Sequence, residues 1–216
     1  MDDINGTALA TAVSRGITAL VSLLLGRGAT VGGRHETALD TVIYEEKTAL
    51  VSLLLDRGAN INTVGGKYGT ALATAIYGGN TALKSLLLDR GADVNTIGGK
   101  YGTPLAVAAP LGDGYTVSVL LDHGADINTV FGKYGTALAA AALNGKKKIV
   151  LLLLRRGADI NGVAGTYGTA LTAAAFSGKK EIVLLLLGRG ADTNLVGSGY
   201  RTALAMATLQ KLYRCC

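Results

Sequence analysis

Residues 70–102 read TALATAIYGGNTALKSLLLDRGADVNTIGGKYG. Thr70 leads into Ala71-Leu72-Ala73-Thr74-Ala75-Ile76, a run that predicts a short helix of small residues, one that lets a neighbouring helix come close. Gly78-Gly79 breaks it. A second helix is predicted through Leu83 to Leu88, richer in leucine and hence the main apolar ridge. Asp89-Arg90-Gly91 ends that helix, with Gly91 at the C′ position, where a positive φ is needed. The glycine-rich segment Asn95 to Gly102 reads as an extended hairpin loop. The unit is helix, turn, helix, long loop.

The same unit recurs along the whole chain. Thr-Ala-Leu begins at Thr7, Thr37, Thr70, Thr136, Thr169 and Thr202, with Thr103-Pro104-Leu105 as its variant; the spacings are 30 and then 33 throughout. Gly-Ala falls at Gly28, Gly58, Gly91, Gly124, Gly157 and Gly190 with the same spacings. Two independent markers on one period define a repeat, and the single 30 marks a three-residue deletion around Val31 to Glu36. Neither helix of a unit is long enough to be stable alone in water, and one unit cannot bury its own apolar face. Stacking answers both problems, which is why arrays of this kind need about three or more units. The expected units are residues 4–33, 34–66, 67–99, 100–132, 133–165, 166–198 and a partial 199–216, forming one domain over 1–216.

Composition narrows the function classes. The 216 residues are 49% hydrophobic and 17% charged, which argues against disorder. There are 31 glycines, too few and too irregular for collagen, so they read as evenly spread turns. The longest aliphatic run, Ile149 to Leu154, is bounded by Lys148 and Arg155 and falls far short of the roughly 18–20 apolar residues that span a bilayer. Met1-Asp2-Asp3 is acidic, unlike the start of a signal peptide. The expectation is a soluble cytoplasmic chain, with the nucleus as the alternative and no membrane partner. Cys215 and Cys216 are the only cysteines, which rules out a disulfide framework and a zinc site built on cysteine pairs. The pair is similar to a double-cysteine prenylation signal, with incidental terminal cysteines as the plainer reading. The net charge of +6 is uneven: residues 1–132 hold 9 basic and 12 acidic side chains (9 − 12 = −3), and residues 133–216 hold 12 and 3 (12 − 3 = +9). An acidic partner would be steered to the C-terminal half.

These units resemble the ankyrin repeat, whose pattern runs roughly Gly-x-Thr-Pro-Leu-His-x-Ala, a glycine turn, then Val-x-x-Leu-Leu-x-x-Gly-Ala-Asp-x-Asn. Thr103-Pro104-Leu105 matches the opening. Ala12, Ala75, Ala108, Ala141, Ala174 and Ala207 match the alanine. Gly91-Ala92-Asp93-Val94-Asn95 and Gly124-Ala125-Asp126-Ile127-Asn128 match the ending. The family histidine is replaced everywhere, by Ala10, Asp40, Ala73, Ala106, Ala139, Thr172 and Ala205, so whatever it does to tie adjacent turns together is not available. The loops read Tyr-Gly-Thr at Tyr68, Tyr101, Tyr134 and Tyr167, and Gly-Gly-Lys at 65–67 and 98–100 strengthens the likeness to a variant common in fungal multidomain proteins. The resemblance implies an all-α ankyrin-repeat solenoid of helix-turn-helix units with β-hairpin-like loops. It also implies a non-catalytic protein–protein interaction module that binds through a concave first-helix face and loop tips. Residues 3–5 look like the tail of a preceding unit and residues 200–216 like an incomplete last one. That suggests a piece of a longer array.

Candidate contact residues follow. The loops carry Lys67, Lys100 and Lys133 beside tyrosines, a pairing that suits interface hot spots and also single-stranded nucleic acid; alternatively each tyrosine packs on the next loop and only the lysines are wet. The ends of the first helices vary most between units and supply Tyr44, Tyr77, Leu111, Asn144 and Phe176. Variation on a fixed scaffold is what a specific surface shows, and also what an unconstrained surface shows. In the second helices, Ser22, Ser52, Ser85 and Ser118 give way to Leu151 and Leu184, either an outward apolar strip or leucine on a partly buried face. The clusters Lys146-Lys147-Lys148, Arg155-Arg156 and Lys179-Lys180 form either a solvated face or an electrostatic site for nucleic acid or another acidic partner over 133–216. No catalytic, metal or cofactor residues are expected: His35 and His123 lie in different units without obvious partners, and Gly-Gly-Lys is followed by tyrosine, so it fails as a phosphate loop.

Overall fold

The computed structural model describes residues 8–9, 11–27, 39, 42–65, 67–132, 134–195 and 202. The Val31–Glu36 deletion, His35, residues 3–5 and all of 200–216 except Thr202 lie outside them. Two compact units divide at 99/100, which is an expected repeat boundary. In the first, helices α1 (Thr18–Gly26), α2 (Thr48–Asp56), α3 (Ala71–Gly78) and α4 (Thr81–Asp89) are preceded by helical residues at 8–9, 11–14 and 42–44. The second holds α5 (Pro104–Leu111), α6 (Gly114–Asp122), α7 (Ala137–Leu143), α8 (Lys147–Arg155), α9 (Ala170–Phe176) and α10 (Lys180–Leu187).

The repeating threonine starts four of the first helices. Thr70, Thr103, Thr136 and Thr169 are extended N-cap residues, and their Oγ1 atoms accept the backbone N–H three residues on, at 3.1–3.2 Å. A hydroxyl there meets one of the four donors a helix leaves unpaired. All four threonines are buried, so no water could replace it. Pro104 takes the first helical position, where its missing N–H costs nothing. Five of the second helices, α2, α4, α6, α8 and α10, end at a glycine with φ between +82° and +92°, at 58, 91, 124, 157 and 190, as the C′ reading requires.

Size of side chain decides how helices pack. In the second unit α7 lies between α5 and α9, and these alanine-rich helices approach one another more closely than α8 approaches α6 or α10. The second helices close the core with leucine and isoleucine: Leu120, Ile149, Leu153 and Leu186 are buried. Burying such a side chain contributes about 1.5–3 kcal/mol. In the first unit α4 packs on α3 and α2 in the same manner, around Leu54, Leu72, Leu83 and Leu87.

The loops are hairpins held by single bridges rather than strands. Gly65 pairs with Gly69, Phe131 with Gly135, and Ala164 with Gly168. Successive loops stack backbone on backbone: a Cβ at Gly69, where φ is +100°, would lie 2.3 Å from the Gly98 carbonyl carbon. Below them runs a hydrogen-bond ladder, in which the backbone N–H of Asp93, Asp159 and Asp192 donates to the side-chain oxygen of Asn62, Asn128 and Asn161 in the preceding repeat at 2.7–2.9 Å.

Candidate functional site

Of the eight sequence-predicted contact residues, Lys67, Tyr77, Lys100 and Phe176 fall in local ring clusters at the loops and first-helix ends. Lys67 Nζ sits 5.3 Å from the Tyr68 ring centre, and Tyr68 stacks on Tyr77 with centroids 4.0 Å apart. Tyr68 is only 6% exposed, so it is the packed member and Tyr77 the wet one. Lys100 Nζ lies 5.9 Å from the Tyr101 ring, and Tyr101 stacks on Tyr134 of the next loop at 5.8 Å. Tyr167 and Phe176 meet at 5.1 Å, and Phe176 is half-buried.

Packing of a tyrosine on the next loop therefore describes Tyr101 with Tyr134. Tyr68 and Tyr167 instead meet the ring nine residues later, at the end of their own first helix. The alternation follows from that ninth position. It is aromatic after Tyr68 and Tyr167, but Pro110 after Tyr101 and Leu143 after Tyr134.

The remaining predicted residues stand apart from these rings. Tyr44 is 67% exposed, and Leu111 is exposed at the end of α5. Asn144 is exposed too, but its amide donates to the Ala140 carbonyl at 2.9 Å, so half of its polarity caps α7. Lys133 lies outside the described residues. In the second helices Leu184 is 70% exposed and Leu151 is half-buried, so the outward leucine strip is pronounced in α10 and weak in α8.

Glu46 was not singled out from sequence. It is the one non-glycine with positive φ (+59°) among the described residues, and it occupies the inter-helix turn position held by Gly16, Gly79, Gly112, Gly145 and Gly178. A left-handed residue with a Cβ costs about 1–2 kcal/mol, and strain of this kind clusters at functional surfaces. It sits beside exposed Tyr44, and Glu45 next to it pairs with Lys47 at 2.5 Å. Counting the glycines in register would have exposed it.

Among the described residues the missing histidine is covered in one place. Thr172, buried, brings its hydroxyl within hydrogen-bond reach of the carbonyls of Tyr167 and Thr169, tying loop to helix. Ala73, Ala106 and Ala139 fill the same position with a methyl group. His123 sits at the C-cap of α6, its Nδ1 2.8 Å from the Val119 carbonyl. Among the described residues no group of three or more His, Cys, Asp or Glu could hold a metal ion, and no helix is long and apolar enough to cross a membrane.

Helix–turn–helix units of 33 residues, with threonine caps, C′ glycines and bridged hairpin loops, define an all-α repeat solenoid. The profile described as ankyrin repeats (3 copies) matches residues 64–130 and 130–197, more than half of the sequence, and the chain belongs to the ankyrin-repeat family. Ankyrin repeats are in general protein–protein interaction modules rather than enzymes. No curated protein matches the chain.

Proposed function

We propose that this chain is a non-catalytic module that binds a protein partner through its first-helix ends and loop tips, the side expected to be concave. The contact residues are Tyr44, Lys67, Tyr77, Lys100, Leu111, Lys133, Asn144 and Phe176. One observation carries the reading: Tyr44, Tyr77 and Leu111 are large apolar side chains left exposed at the ends of successive first helices, while the alanine and leucine positions behind them are uniformly buried. Rigid aromatic and aliphatic side chains on a packed support suit interface anchors.

The test compares capture of partner proteins by the full chain with capture by Tyr44→Ala and Leu111→Ala. These two are chosen because neither side chain has a ring partner among the described residues, whereas Tyr77→Ala also removes a stack. Loss of a captured protein at physiological salt supports the reading. Capture untouched by both substitutions and abolished by moderate salt would refute it.

A further inference from the structure

The turn edge of the second unit carries charge that the described residues do not neutralise. Residues 134–195 hold eight Lys and Arg against three acids, Asp159, Glu181 and Asp192. All three acids are engaged. Asp159 and Asp192 accept the backbone N–H of Asn161 and Asn194 at 2.9 and 2.8 Å, and Glu181 pairs with Lys147 at 3.0 Å. Lys146, Lys148, Lys179 and Lys180 have no carboxylate within ion-pair distance among the described residues.

Two of these lysines lie over the preceding turn. Lys146 lies across Gly112 of the preceding turn, with its Cδ 2.9 Å from where a Cβ on that glycine would sit, and Lys179 lies across Gly145 in the same way, with its Cε at 3.1 Å. Lys146 follows half-buried Leu143 by three residues, and Lys179 follows half-buried Phe176 by three. The edge thus presents an apolar side chain and then a cation, twice, one repeat apart.

We propose that this edge, formed by Lys146, Lys148, Lys179 and Lys180 with Leu143 and Phe176, docks an extended acidic polypeptide segment in which Asp or Glu residues are interrupted by an apolar residue at every third position. The proposal rests on the protein-binding reading and names the chemistry of one partner. Charge complementarity selects an acidic occupant. Packed helices lie roughly 8–10 Å apart and an extended chain advances about 3.3 Å per residue, so a period of three residues brings acids opposite successive lysine clusters. The neighbouring side chains favour peptide over nucleic acid. Strand binding without sequence preference relies on successive open aromatic faces, whereas at this edge Phe176 leans on Tyr167 and Tyr115, 68% exposed, offers a single open ring.

The experiment titrates the full chain against a fluorescent (Glu-Glu-Leu)4 peptide by anisotropy, with (Gln-Gln-Leu)4, (Glu-Glu-Ser)4 and twelve-residue oligo-dT as parallel probes. Saturable binding is expected for (Glu-Glu-Leu)4, weaker binding for (Glu-Glu-Ser)4 and none for (Gln-Gln-Leu)4. Replacing the four lysines together (Lys146→Gln, Lys148→Gln, Lys179→Gln, Lys180→Gln) is expected to weaken peptide binding about tenfold, as four exposed charge pairs would, with the melting curve unchanged. Equal binding by the four-lysine variant overturns the proposal, as does tighter lysine-dependent binding of oligo-dT. The general reading fails separately, through Tyr44→Ala in the first unit, which leaves these lysines intact.

Discussion

Replacing Thr136 by valine isolates what the repeating threonine does. Valine has the same shape and tolerates the extended backbone at this N-cap (φ −103°, ψ 159°), so neither packing nor conformation is disturbed. Only the Oγ1 acceptor for the Ala139 N–H, 3.1 Å away, is lost. An N-cap hydroxyl contributes about 0.5–2 kcal/mol, and a buried donor left without an acceptor costs about 1–3 kcal/mol. Thr136 and Ala139 are both buried and α7 is flanked by α5 and α9, so the upper part of the first range applies, about 2 kcal/mol. For a chain of this length that lowers the melting temperature by about 4–8 °C. Thermal unfolding followed by far-UV circular dichroism measures it, with Thr136→Ser as the control that restores the acceptor and recovers most of the loss. A valine variant that melts within about 1 °C of the parent, or a serine variant as unstable as valine, would show that the threonine is a packing residue and not a cap.

Gly69→Ala should destabilise far more than Gly91→Ala, although both have positive φ, because the added methyl at 69 meets the Gly98 backbone while that at 91 meets nothing; equal urea midpoints would refute this. Glu46→Gly should stabilise the chain by about 1 kcal/mol by relieving the left-handed Cβ, visible as a higher urea midpoint, and a lower midpoint would mean the side chain holds the turn. A double-mutant cycle on Tyr68 and Tyr77 should give a coupling of about 0.5–1.5 kcal/mol for their stack, and additive losses would deny it. Asn161→Ala, removing the acceptor of the Asp192 N–H, should cost about 1 kcal/mol, whereas Arg156→Ala, which breaks an exposed 2.8 Å pair with Asp122, should cost less; chemical unfolding ranks the two.

Sequence by itself determined the period, the two helices of each unit, the break between them and the hairpin loop, because all of these rest on local chemistry. A glycine after the last helical turn and a glycine-rich hairpin act on their own stretch of backbone, and repetition multiplies the signal. Sequence also located exposed Tyr44, Tyr77 and Leu111, since departures from a repeating pattern stand out. The tertiary structure decided which groups meet. The Asn62, Asn128 and Asn161 acceptors find donors 31 residues away, and Lys146 and Lys179 find the glycines they cover in the preceding repeat. Tyr68 and Tyr101 share one sequence context, yet one turns to its own first helix and the other to the next loop. The residue nine positions on, Tyr77 or Pro110, is written in the sequence, but that this position lies within reach of the loop tyrosine emerges only once helix and loop pack.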